Sequence, residues 1–228
     1  MRNSFIYFIV ISTIYLLLFI FNQDNIAWYF KPFLLPFLIL ATYKSDAFET
    51  KKWLLYALTF SWIGDIILLF ASKNELYFIL GLVSFLIAHI LFIVLFIKQK
   101  SEGNYTKKCL FWLGFVVVLV YIISILSLLF TKLGNLKIPV FVYAFTISIM
   151  LITAIKGYFT WQKPMNILIL IGALFFIVSD SFLSINKFYN PILSAQFIIM
   201  FTYLVAQYCI TAGVLKMNKK INVAIYLL

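Results

Sequence analysis

The chain of 228 residues is 65% hydrophobic and only 11% charged, with a mean hydropathy of +1.09. A water-soluble fold of this length cannot bury so much apolar side chain, so soluble classes are excluded and a polytopic membrane protein remains. The formal charge of +11 would suggest a nucleic-acid partner in a soluble protein. Here the lysines fall between apolar runs, where they act as topology signals and headgroup contacts, so no nucleic acid is expected.

Backbone groups in hydrocarbon must be satisfied within the spanning structure, which leaves helices or a closed barrel. The apolar runs continue for about 18–24 residues without alternating, and this predicts an all-α fold. In chain order, eight spans are expected over 4–21, 26–43, 53–71, 76–97, 109–130, 138–155, 165–185 and 192–215. The first has full spanning length and no small-x-small cleavage site before Asn22, so it reads as a retained helix. Pro32 and Pro36 predict a kink in the second. Cys109 and Cys209 lie within or at the ends of helices, and with a single histidine the chain predicts no disulfide, no metal site and no cofactor.

Eight spans put both termini on one side. Lys73, Lys132, Lys137 and Lys187 lie on the opposite side and Lys31 lies within a helix, while the remaining thirteen basic residues share the side of the termini. The positive-inside rule then predicts cytoplasmic N- and C-termini in a bacterial-type inner or plasma membrane.

The halves resemble each other. Phe60-Ser-Trp-Ile-Gly-Asp65 aligns with Phe175-Phe-Ile-Val-Ser-Asp180, and Phe85-Leu-Ile-Ala-His89 aligns with Tyr203-Leu-Val-Ala-Gln207. Lys31-Pro32 opens the second span, and Lys137 with Pro139 opens the sixth. The matches fall in order, four helices apart. They predict one transmembrane domain over 1–228, arranged as two parallel four-helix repeats of about 1–100 and 101–228.

Asp65 and Asp180 are each the lone charge of an apolar span. A carboxylate in hydrocarbon is costly and marks function by default. Counting residues from the turns places Lys31, Asp65, Asp180 and Gln196 at one level, in the extracytoplasmic half of the bilayer, with His89, Tyr203 and Gln207 deeper. Ser61 is one turn from Asp65, and Gln196, Tyr203, Gln207 and Thr211 form a polar stripe on the last helix. Phe78, Leu82 and Phe85 share the His89 face, an apolar wall suited to an acyl chain.

Lys31-Pro32, Ser61-x-x-Gly64-Asp65, Phe78-x-x-Gly81 with Phe85 and Ala88-His89, Ser179-Asp180 and Tyr203-x-x-x-Gln207 together resemble the YhhN family of integral membrane proteins, which includes the lysoplasmalogenases. The resemblance covers most of the chain. It implies hydrolysis of the vinyl ether bond of lysoplasmalogen to a fatty aldehyde and a glycerophospho-base. It also implies that Asp65 and Asp180 are catalytic and that Lys31, His89 and Gln207 belong to the site, which Ser61, Gln196 and Tyr203 would complete.

The chemistry suits two carboxyl groups. Protonation of the alkene carbon gives an oxocarbenium ion, water adds, and the hemiacetal collapses. One carboxyl group must deliver a proton and the other must oppose the cation and activate water, without any metal. The expected partners are a lysophospholipid substrate and membrane lipids, with no obligate protein partner. Two other readings share these features: a proton-coupled transporter of a small amphiphile, and a non-catalytic lipid-binding membrane protein.

Overall fold

In the computed structural model, which describes residues 2–101 and 108–225 with side chains to Lys219, the chain is helical and the described residues contain no strand. It divides into two compact units, Met1–Leu95 and Phe96–Leu228. Lys107 and the side chain of Lys220, both counted among the basic residues above, lie outside the described residues.

In the first unit α1 spans Arg2–Ile20. Asn22 ends it in the left-handed region at φ +55°, and the Gln23 amide reaches back to the Leu18 carbonyl at 2.7 Å. Asparagine tolerates this conformation, and the long back-bond satisfies a carbonyl that the helix end would otherwise orphan. The second predicted span is broken: α2 covers Asp24–Phe30, a tight turn covers Lys31–Phe33, and α3 covers Pro36–Tyr43. Pro36 has no N–H to give to the carbonyl four residues earlier, that of Pro32. Trp62 takes up this carbonyl, its Nε1–H donating at 2.7 Å.

Trp62 belongs to α4, Lys51–Leu68. The turn that follows leads into α5, Glu75–Lys98. Asn74 caps α5 by accepting the Leu76 amide at 2.9 Å, and Glu75 complements the positive helix start. Helices α4 and α5 cross closely because small residues meet at the crossing. A Cβ on Gly64 would stand 2.8 Å from the Phe85 ring, and one on Gly81 would stand 2.5 Å from Leu68. Ser84 on α5 donates to the Phe60 carbonyl at 2.6 Å and holds the pair together.

The second unit begins in the last turn of α5. It contains α6 (Lys108–Leu129), a tight turn at Gly134–Leu136, α7 (Lys137–Thr160), α8 (Met165–Ser184) and α9 (Ala195–Ile225). Gly134 takes φ +49° to enter that turn. Asn166 on α8 donates to the Tyr158 carbonyl of α7 at 2.5 Å. Helices α8 and α9 approach at Gly172, where a Cβ would stand 2.9 Å from the Ala206 carbonyl, and at Gly213, where it would stand 2.7 Å from Ile169.

Several boundaries differ from expectation: α7 runs to Thr160 rather than 155 and α9 to Ile225 rather than 215. Helix α8 continues past Ser184 as a wider turn over Ile185–Tyr189. The last helix starts at Ala195 rather than 192, because Ser194 sits at φ +57°, in the left-handed region that a helix cannot pass through; just before it, the Ile192 amide donates to Asn186 Oδ1 at 2.9 Å.

Among the described residues, seven helices are long and apolar enough to cross a membrane by length and composition. The predicted span 53–71 forms the 18-residue helix α4, which holds Lys51, Lys52 and Asp65 and is not among the seven.

Candidate functional site

Lys31, Ser61, Asp65 and His89 belong to the first unit, and Asp180, Gln196, Tyr203 and Gln207 belong to the second.

The break in the second span presents Lys31 to α4. Its Nζ lies 3.8 Å from Asp65 Oδ1, with the lysine side chain 14% and the aspartate side chain 3% exposed. Trp62, three residues before Asp65, anchors α4 to the same break through the Pro32 carbonyl, so one local irregularity positions both ions. Ser61 is buried one turn from Asp65, and its Oγ has no hydrogen-bond partner among the described residues. His89 is wholly buried on α5, eight residues beyond Gly81 and so about 12 Å farther along the helix.

In the second unit Asp180 is half-buried and accepts a hydrogen bond from the Tyr143 hydroxyl on α7, Oδ2 at 2.6 Å. The next residue, Ser181, meets the Tyr121 hydroxyl of α6 at 2.6 Å. Ser179, on the other side, donates to the Ile199 carbonyl of α9 at 3.0 Å. Tyr203 is buried, with its ring edge-on to Phe176 at 5.6 Å. Gln207 and Thr211 are wholly buried, and neither the Gln207 amide nor the Thr211 hydroxyl has a hydrogen-bond partner among the described residues. Gln196 is exposed in the first turn of α9.

Each aspartate follows a residue that touches the next long helix of its own unit. A shift of 115 residues carries Asp65 onto Asp180 and Gly64 onto Ser179, and a shift of 118 carries His89 onto Gln207 and Gly81 onto Ile199. Gly64 and Gly81 meet where α4 crosses α5, with the Gly64 carbonyl 3.7 Å from a Cβ built on Gly81. Ser179 and Ile199 meet where α8 crosses α9. In both units the residue before the aspartate touches the following long helix.

Sequence reasoning missed Tyr143, Tyr121, Ser181 and Trp62. With 14 tyrosines and 20% aromatic residues in the chain, a tyrosine in an apolar helix carries no signal of its own, since most such rings are packing or interface residues. The one usable clue for Trp62 is that two prolines four apart leave a carbonyl in need of a donor.

An all-helical chain with this many apolar spans, and with carboxyl groups set inside two of its apolar segments, is a polytopic integral membrane protein. It belongs to the YhhN family, whose model matches residues 26–214. Neither curated proteins nor solved structures give a match to the chain.

Proposed function

We propose that the protein is a membrane-embedded hydrolase that cleaves the vinyl ether bond of a lysoplasmalogen, giving a fatty aldehyde and a glycerophospho-base, with Asp65 and Asp180 as its two working carboxyl groups. Membership of the YhhN family supports the class. The observation that carries the mechanism is the difference between the two carboxyl environments. Asp65 is beside the cation of Lys31, whereas Asp180 is beside the neutral phenol of Tyr143.

That difference divides the chemistry. A carboxylate balanced by an ammonium group suits the anion that opposes the oxocarbenium ion and takes a proton from the attacking water. A half-buried carboxyl group beside a phenol suits the acid that protonates the alkene carbon. We therefore assign Asp180 as the acid and Asp65 as the anion. Ser61, His89, Tyr203 and Gln207 complete the proposed substrate-binding set, with the unpartnered Ser61 and Gln207 polar groups free to meet water or the ether oxygen. Gln196, exposed in the first turn of α9, belongs to the same proposed set. We also propose eight membrane crossings in two four-helix repeats with cytoplasmic termini, and the contacts of Gly64 and Ser179 with the following long helix support the repeat.

The test is aldehyde release from a purified 1-alkenyl lysophospholipid by the reconstituted protein. Wild type is expected to release aldehyde, and Asp65→Asn and Asp180→Asn are each expected to lose 10²-fold or more, on the order of a general acid–base contribution. Full activity in either variant removes that residue from the mechanism. Movement of the lipid across the vesicle with no aldehyde formed replaces the enzyme reading with a carrier.

A further inference from the structure

The proposed reaction leaves the two tyrosines around Asp180 unused. Helices α6 and α7 each send a phenol to the same turn of α8. Tyr143 donates to Asp180 Oδ2 at 2.6 Å. Ser181 Oγ donates to the Ile177 carbonyl at 2.6 Å, which uses its single proton, so in the 2.6 Å contact between Ser181 and Tyr121 the phenol is the donor. The two bonds differ in kind. Tyr121 holds backbone-anchored Ser181 and fixes the helix turn, whereas Tyr143 touches the carboxyl group itself.

We propose that Tyr143 is a positioning residue for Asp180: it holds Oδ2 so that Oδ1 carries the acid proton to the substrate, and it stabilises the carboxylate left behind. This inference rests on the hydrolase reading above. In the step concerned, the π electron pair of the vinyl ether forms a new C–H bond to the proton on Oδ1. The O–H bond pair stays on Asp180, which becomes a carboxylate as the substrate becomes an oxocarbenium ion. The charge that appears on Asp180 is shared with Oδ2, where the phenol O–H already points. A hydrogen bond to an anion is about twice as strong as one to a neutral acceptor, so the Tyr143 bond tightens as the proton leaves. An interaction stronger in the transition state than in the ground state lowers the barrier without tightening substrate binding. When the hemiacetal collapses, its hydroxyl proton returns to Asp180 as the glycerol C–O bond breaks and that oxygen takes the proton delivered by the other carboxyl group, so the cycle closes with one water consumed.

The experiment compares wild type, Asp180→Asn, Tyr143→Phe, Tyr143→His and Tyr121→Phe for kcat, KM and melting temperature on a 1-alkenyl lysophospholipid. Tyr143→Phe keeps the ring and deletes the donor. It is expected to lower kcat by roughly ten- to a hundredfold, the effect of removing a hydrogen bond to a charged group, with KM within twofold and melting unchanged. Tyr143→His restores an N–H donor and is expected to recover part of the loss. Tyr121→Phe is expected to lower melting while leaving kcat within about threefold. Wild-type kcat in Tyr143→Phe beside an inactive Asp180→Asn overturns the tyrosine's role and leaves the hydrolase reading standing. A loss of kcat in Tyr143→Phe that comes with earlier melting and no recovery in Tyr143→His makes the bond structural and overturns the proposal as well. Full activity in Asp180→Asn, or no aldehyde from wild type, fails the underlying reading instead.

Discussion

Replacing Lys31 with methionine removes the cation beside Asp65 and keeps most of the side chain's volume. The pair is separated by 3.8 Å, and at an effective dielectric of about 20 two unit charges at that distance attract by roughly 4 kcal/mol. The 14% exposure of the lysine side chain and the entropy of holding a long chain reduce this, so a net loss of about 2–3 kcal/mol is expected, below the ~3–5 kcal/mol for breaking a fully buried pair. Thermal unfolding in detergent measures it. The informative variant is the double substitution Lys31→Met with Asp65→Asn. If the loss arises from a carboxylate stripped of its cation, the double variant melts above Lys31→Met alone, because an amide carries no charge to be stranded. Aldehyde release by the double variant stays abolished, since the proposed anion is gone. A Lys31→Met protein that melts with wild type, or a double variant that loses stability additively, refutes the coupling and returns Lys31 to the role of a lysine reaching for the membrane surface.

Trp62→Phe deletes the donor to the Pro32 carbonyl and is expected to cost about 1 kcal/mol; Pro36→Ala restores a backbone N–H that can reach the same carbonyl, so the two together are expected to cost less in melting than their sum. Gly64→Ala forces a methyl group against the Phe85 ring and is expected to cost ~1–3 kcal/mol, whereas Ser179→Ala at the aligned position removes only a hydrogen bond, about 1 kcal/mol; the opposite order of melting temperatures contradicts the packing account. In a protein with Cys109 and Cys209 replaced by serine, the exposed positions Asp46 and Asn135 test orientation: a membrane-impermeant thiol reagent added to whole cells is expected to label Asn135→Cys and spare Asp46→Cys, and the reverse pattern inverts the topology.

The long helices were legible because hydrocarbon imposes a crude, additive rule: enough apolar residues in a row must form a helix. Their ends were less legible because they depend on single residues. The start of α9 is set by the backbone of Ser194, which sits in the left-handed region, a detail invisible to hydropathy. The kink at Pro32 and Pro36 was readable from proline chemistry, but the donor that repairs it, Trp62, was not. At the site, the aspartates stood out because charge is rare in these segments. Tyr143 did not, because a phenol in an aromatic-rich helix looks like packing until its hydroxyl has a partner.

Under the proposed repeat and the proposed hydrolase reading, the partner difference is what would let a duplicated design serve acid–base chemistry. Two copies of one unit would, by default, hold two carboxyl groups in the same surroundings, with the same preference for a proton. Vinyl ether cleavage needs the opposite, an acid and an anion present together. In each unit the residue before the aspartate, Gly64 or Ser179, touches the following long helix. The neighbour differs: an ammonium group from a proline-broken turn in one unit and a phenol from the continuous helix α7 in the other. A substitution in either neighbour therefore acts on the carboxyl group beside it. On this reasoning Lys31→Met and Tyr143→Phe impair different steps, water activation in the first and alkene protonation in the second. Solvent deuterium exchange at the aldehyde's α-carbon separates them, because that carbon receives its proton before water adds. If water addition is slowed until it limits the rate, protonation has time to reverse and unreacted lipid gains deuterium. If protonation itself is slowed, recovered lipid stays unlabelled. Equal labelling of recovered lipid by both variants contradicts the division of roles.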